Sequence, residues 1–254
     1  MDKKLNFLFT NKQWKSLLLK VFLFGSGLLG LHFFNFSLSA IFIFCLLLLW
    51  FYFSQLPERG YSRISFLVLV LTAFFALRFF GTSFYLAFFS CLVFSFLFYL
   101  LLGLTAFIFK NRHSVYLFLN TGLFLAVFLL FFSVDKSKYF LFLNFLLFLI
   151  IYFLIKECFD FLRSAVQNSL FLIPNSQFIA LVLAFLSLEL FWAISLLPIG
   201  FINSAILLVL FVFLMRDFTL AYCSGRLNRR FLIYHSLIFV VLVILIFSTS
   251  KWSI

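Results

Sequence analysis

The acidic residue Glu189 stands out in this chain of 254 residues because it lies in the middle of a long apolar run. The other acidic residues fall in the more polar segments between apolar runs. A carboxylate in hydrocarbon is costly, so it usually faces the interior of a helix bundle, where it is paired or protonated. Glu189 is therefore a candidate proton or cation site of a carrier, or a buried hydrogen-bonding group that fixes helix packing.

Three further side chains could act together with Glu189. Arg78 is its possible ionic partner, because we expect Glu189 about 12 Å and Arg78 about 3 Å below the same face of the membrane, at about 1.5 Å per helical residue. Arg78 could instead extend outward to the headgroups. Trp192 and Ser195 follow Glu189 on roughly one side of a helix, which predicts a polar seam toward the outer face.

The cysteines and histidines form no metal or disulfide pattern. They are dispersed along the chain, at Cys45, Cys91, Cys158, Cys223, His32, His113 and His235. Zinc and haem need converging ligands, so we predict no metal site and no cofactor. No two aspartates stand close enough to suggest a Mg²⁺-diphosphate site, and no phosphate-binding glycine loop occurs.

The composition excludes a water-soluble fold. Hydrophobic residues make up 66% of the chain, charged residues only 10%, and the mean hydropathy is +1.25, whereas soluble domains are about half apolar and about a quarter charged. The apolar runs show no alternation of period two, which favours helices over a barrel. We predict one integral membrane domain over residues 1–254, an all-α polytopic transmembrane bundle with nine spans: 17–34, 37–54, 64–80, 84–109, 115–134, 139–155, 178–197, 199–215 and 231–249.

Basic residues concentrate on one side of this predicted path. With the N-terminus inside, few of the 19 basic residues fall on the far side, namely Arg78, Lys136, Lys138 and Lys251. Lys and Arg near the ends of spans stay on the cytoplasmic side. We therefore predict an inside N-terminus and an outside C-terminus.

The net charge of +12 follows from this topology and predicts anionic membrane lipid, and no nucleic acid, as the partner. Each Lys or Arg beside an anionic leaflet contributes about 1 kcal/mol to lipid binding. Two basic clusters are candidates for this contact: Lys3, Lys4, Lys12 and Lys15 in the N-terminal tail, and Arg226, Arg229 and Arg230 before the last span.

Two further patterns have plain structural interpretations. The 47 phenylalanines are scattered along the chain, which indicates lipid-facing positions rather than a binding site. The stretch from Lys156 to Ile173 has apolar residues at helical spacing, which predicts either an interfacial helix or a cytoplasmic extension of span six.

Four features occur together along the chain. They are the basic tail, the spans rich in Phe and Leu, the run from Phe98 to Leu104 leading to Lys110-Asn111-Arg112-His113, and Glu189 with Trp192 before Leu197-Pro198-Ile199-Gly200. In these features the chain resembles multi-pass membrane proteins of small-genome candidate-phyla bacteria, a group with no assigned activity. The resemblance implies a bacterial cytoplasmic membrane and no mechanism.

Three functions remain open on the sequence. The preferred one is a non-enzymatic scaffold or subunit of a membrane assembly, with a membrane-protein partner, because polar groups are scarce within the spans. The alternatives are a carrier or channel for a small solute or ion that uses Glu189, and a lipid-modifying membrane enzyme.

Overall fold

A computed structural model describes residues 2–53, 63–81, 83–105, 109, 111–134, 140–165, 175–223, 225 and 227–250. All regular secondary structure in these ranges is α-helical, which confirms the prediction of an all-α fold. The helices are α1 (Asp2–Phe33), α2 (Leu38–Phe53), α3 (Arg63–Phe80), α4 (Phe84–Thr105), α5 (Arg112–Ser133), α6 (Phe140–Ala165), α7 (Ser176–Ser195), α8 (Phe201–Cys223) and α9 (Arg229–Thr249).

Eight of these helices contain a stretch long and apolar enough to cross a membrane. The exception is α2, whose 16 residues extend about 24 Å, less than the hydrocarbon thickness of about 30 Å. The chain is thus a polytopic helical membrane protein. Within the described residues, the nine predicted spans become eight of full length and one shorter apolar helix, and the inside N-terminus stays a prediction.

Two helices extend well beyond their predicted ends. The predicted spans 139–155 and 199–215 stop before charged residues, whereas α6 continues to Ala165 and α8 to Cys223. Residues 156–165 therefore continue span six as one helix, and residues 166–173 of the predicted interfacial helix lie outside the described part of the chain. As a result, Glu157 lies within α6 and Arg216 within α8, two helices that each contain a stretch long and apolar enough to cross a membrane. The side of the membrane on which these two residues lie stays a prediction.

The chain divides into two compact units, Met1–Leu119 and Asn120–Ile254. In the first unit α1 packs most extensively against α4, α4 packs against α3, and α2 packs against α1. Small residues allow this approach at Gly25, where a Cβ atom would lie 2.5 Å from the Ser95 hydroxyl oxygen. Helices in membranes associate closely at such small residues.

Phenylalanine forms the centre of this first unit. Phe98 of α4 is fully buried, and its ring centre lies 4.2 Å from that of Phe24 in α1. The rings of Phe51 in α2 and Phe66 in α3 lie at 6.4 and 6.3 Å from it. The interpretation of phenylalanine as mainly lipid-facing is therefore wrong for these residues, because Phe98 holds four helices together by ring packing.

The turn between α1 and α2 is tight and uses left-handed backbone. Asn35 and Phe36 have φ values of 47° and 55°, a region that non-glycine residues rarely adopt. The Phe36 N–H donates to the carbonyl of Leu31 at 2.9 Å. The Phe36 ring meets the ring of Phe74 in α3 edge-on, with centres 5.2 Å apart, so the turn is fastened to α3.

In the second unit α7 packs between α6 and α8, and α9 packs against α8. The buried side of α7 is one stripe at helical spacing, formed by Ala180, Leu183, Ala184, Ser187, Phe191 and Ile194. The ring of Phe191 lies 4.7 Å from that of Phe132 in α5. One side of α7 thus packs against neighbouring helices, and the opposite side is exposed.

The last helix, α9, has no buried residue and is held to α8 near its two ends. At one end the Asn203 amide donates to the Ser250 hydroxyl at 2.8 Å, and that hydroxyl donates to the Ile246 carbonyl at 2.6 Å. At the other end the ring of Phe218 lies 6.3 Å from Phe231 and 6.4 Å from His235.

We expect Asn203→Ala to loosen the end of α9. A hydrogen bond between membrane helices contributes about 0.6–2 kcal/mol, so hydrogen exchange of the last backbone amides of α9 should accelerate by about threefold to thirtyfold. Exchange mass spectrometry of the protein in nanodiscs measures this rate. The control is Asn228→Ala, since Asn228 makes no capping side-chain hydrogen bond. Equal exchange rates in the two variants would show that the Asn203 side chain does not hold the end of α9.

Candidate functional site

Glu189 lies on the outward side of α7. It is exposed, as are Phe185 before it and Trp192 and Leu196 after it on the same side; we name these four residues the α7 outer stripe. In the described part of this unit no hydrogen bond or ion pair engages the Glu189 carboxylate. Its outward position differs from the expected one in the bundle interior.

The predicted polar seam also lies on the outward side. Trp192 and Ser195 are both exposed, and the Ser195 hydroxyl donates to the Trp192 carbonyl at 2.7 Å. The other serine in this part of α7, Ser187, faces inward and donates to the Leu183 carbonyl at 2.6 Å. Each hydroxyl donates to the backbone of its own helix, which leaves Glu189 as the polar group of the stripe that needs a partner.

Arg78 lies in the last turn of α3, where a cation is favourable beside the carbonyl end of a helix. It is exposed, and its guanidinium carbon lies 6.0 Å from the centre of the Phe36 ring, within the range of a cation–π contact. Arg78 belongs to the first unit and Glu189 to the second. Their ion pair stays a prediction.

A buried polar cluster around Arg216 joins three helices of the second unit. Arg216 of α8 is 3% exposed. Its Nη1 donates to the Asn120 side-chain oxygen and to the Thr121 hydroxyl in α5, both at 3.4 Å. The Asn120 amide in turn donates to the Leu154 carbonyl of α6 at 3.4 Å. We name Asn120, Thr121 and Arg216 with Asp217 the Arg216 cluster.

Charge within this cluster is partly balanced. The Arg216 Nε lies 3.4 Å from the Asp217 carboxylate, and the guanidinium carbon lies 4.8 Å from the Phe213 ring centre. Glu157 of α6, the neighbour of Cys158 in the chain, is buried as well. A cluster of this composition stabilises helix association, because its groups have no better partners in hydrocarbon.

The sequence contains one clue to the contact between Asn120 and Arg216, namely the distance of each residue from the end of its helix. Asn120 lies about 12 Å after the start of α5 and Arg216 about 10 Å before the end of α8. Consecutive spans alternate in direction, so these two ends belong to the same side of the membrane. Matching depths on that side could have indicated contact, but Arg216 resembles any basic residue that follows a span.

The candidate lipid-contact residues are only partly described. Lys15, Arg229 and Arg230 are exposed, as a contact with headgroups requires. Lys3, Lys4 and Lys12 lie in α1, but their side chains, and all of Arg226, fall outside the described residues. Contact of these residues with anionic lipid stays a prediction.

Among the residues that the structure describes, no group of three or more His, Cys, Asp or Glu side chains could hold a metal ion. The two polar features described above are the outward carboxylate of Glu189 and the buried Arg216 cluster. Comparison with known proteins adds no family to this: no protein-family model, curated protein or solved structure matches the chain.

Proposed function

We propose that this multi-pass membrane protein is a non-enzymatic subunit or scaffold of a membrane assembly, and that the α7 outer stripe contacts a helix of a partner protein. The observation that carries this proposal is the exposed carboxylate of Glu189 on an otherwise apolar surface. A charged residue at the centre of a span costs about 2.5–3.5 kcal/mol. A partner that covers it offsets this cost.

The chemistry of the stripe restricts the partner. Glu189 lies about 9 Å before the end of α7, so the partner needs a Lys, Arg or hydrogen-bond donor at that depth. Trp192 is 48% exposed and Phe185 52% exposed, and large aromatic side chains are enriched where protein surfaces meet. The α7 outer stripe thus combines two aromatic contact residues with one carboxylate, and the carboxylate restricts the partner to helices that carry a cation or a hydrogen-bond donor at that depth.

The carrier hypothesis receives less support from this geometry. A solute or ion that crosses the membrane needs its binding carboxylate inside the protein or beside a water-filled path. Glu189 is outward on α7, and the inward side of α7 presents the apolar stripe from Ala180 to Ile194. We further propose a bacterial cytoplasmic membrane, with the N-terminus inside and the basic tail on anionic lipid.

Site-specific photocrosslinking in cells that naturally produce the protein tests the proposal. A benzophenone amino acid at Phe185 should give one crosslinked polypeptide of defined mass. The matched control is Phe153, which is exposed on α6 and should give only lipid adducts. Glu189→Leu should lower the Phe185 crosslink by about fivefold or more, which corresponds to about 1 kcal/mol.

Two results would contradict the proposal. Lipid adducts alone at both Phe185 and Phe153 would mean that the stripe faces the bilayer. Flux of an ion or solute into liposomes that contain only this purified protein, abolished by Glu189→Gln, would establish a carrier instead.

A further inference from the structure

A groove of about 340 Å³ lies between α1 and α2 next to their connecting turn. Its α1 wall is lined by Gly27 and Gly30 and its α2 wall by Ile43 and Leu47, while Ser37 and Ser39 lie at the turn end. We name this recess the α1–α2 groove. It lies wholly within the first unit and is independent of the α7 outer stripe.

The groove exists because two residues on this side of α1 are glycines, which have no side chain. At Gly27 the two helices are close, because a Cβ atom there would lie 2.9 Å from a ring carbon of Phe44. At Gly30, nearer the turn, a Cβ atom would meet nothing within 4 Å. The helices therefore touch at Gly27 and leave open space beside Gly30.

Polarity changes along the groove in the order found in a lipid molecule. The deep part is apolar, whereas the turn end has the hydroxyls of Ser37 and Ser39, whose oxygens lie 3.4 Å apart. The Arg78 guanidinium lies over the ring of Phe36, the residue next to Ser37. A fixed positive charge thus stands at the same turn as the polar end of the groove.

The size of the groove selects an acyl chain over a helix. From Gly27 to Phe34 the groove follows α1 for about 10 Å, and its volume is about 340 Å³. A helix with its side chains is about 10–12 Å in diameter, too wide to enter. One unbranched hydrocarbon chain is narrower than a helix and can lie along this length.

We propose that the α1–α2 groove binds one acyl chain of an anionic phospholipid, with the lipid phosphate held by Arg78 beside Ser37. Arginine pairs well with phosphate oxygens. The lipid belongs to the leaflet that contains the α1–α2 turn, whichever side of the membrane that is.

Native mass spectrometry of the detergent-purified protein, titrated with phosphatidylglycerol, tests this proposal. Wild type should retain one phosphatidylglycerol per chain at low lipid concentration. Gly30→Leu places a side chain in the open space and should weaken this binding by about tenfold, and Gly30→Ala by about twofold to threefold. Arg78→Gln should weaken phosphatidylglycerol by about fivefold and uncharged diacylglycerol much less.

The matched control is Gly200→Leu, since a Cβ atom at Gly200 also meets nothing within 4 Å and Gly200 lies in the other unit. Equal lipid retention in Gly30→Leu and Gly200→Leu would overturn the proposal, as would a protein dimer that only Gly30→Leu dissociates. Gly30→Ala keeps the test decisive if the leucine variant fails to fold.

Discussion

Arg216→Ala should lower the thermal unfolding temperature of the protein by about 6–12 °C, for a loss of about 3 kcal/mol in the free energy of unfolding. Removal of the guanidinium takes away the positive charge that lies 3.4 Å from the Asp217 carboxylate. It also leaves the Asn120 oxygen, in a residue with no exposed surface, without its donor. A buried group that loses its partner keeps the full cost of desolvation.

Unfolding of the protein in nanodiscs, followed by tryptophan fluorescence, measures this change. The control is Arg163→Ala, since Arg163 is exposed on α6 and should shift the temperature by no more than about 1–2 °C. Asn120→Ala combined with Arg216→Ala should cost about 1 kcal/mol less than the sum of the single changes. Additive losses, or equal shifts for Arg216 and Arg163, would mean that the Arg216 cluster does not hold the helices together.

Phe98→Ala should lower the unfolding temperature by about 4–8 °C through loss of packing at the centre of the first unit. A void of roughly 100 Å³ costs about 2 kcal/mol at the dependence on cavity volume found in soluble cores. The transfer of apolar area from water, which adds to this cost in soluble proteins, contributes little here because the dissociated helices face lipid.

Phe96→Ala is the matched control for Phe98→Ala, because Phe96 lies on the same helix and is 50% exposed. It should change the unfolding temperature by about 1–2 °C at most. Phe98→Leu should recover about half of the loss, since it restores part of the volume. An equal effect of Phe96→Ala and Phe98→Ala would contradict the central position of Phe98.

The helices could be predicted from the sequence because polar or turn-forming residues end most apolar runs. Pro198 and Gly200 lie between α7 and α8, and Gly81 follows α3, where prolines and glycines do least harm. The helices α6 and α8 continue past their predicted span ends, because a prediction from hydropathy requires charged residues such as Glu157 and Arg216 to lie outside a span. Burial against other polar groups removes that requirement.

The candidate site was only partly predictable, for a related reason. Glu189 can be found from its position within an apolar run, but α7 is apolar on all sides, so no periodicity indicates which way the carboxylate points. Phe98 and Phe96 differ in burial but not in residue type. The Asn120–Arg216 contact joins residues far apart in the chain, and no local pattern predicts it.

The sparse attachment of α9 has a consequence for the response of the protein to bilayer thickness. Its 21 residues extend about 31 Å, close to the hydrocarbon thickness of about 30 Å. A thinner bilayer produces hydrophobic mismatch, which a helix relieves by tilting. Helices fixed by buried side chains resist tilting, whereas α9 is held mainly through Ser250, Phe231 and His235. Changes in lipid chain length should therefore reorient α9 before any other described helix.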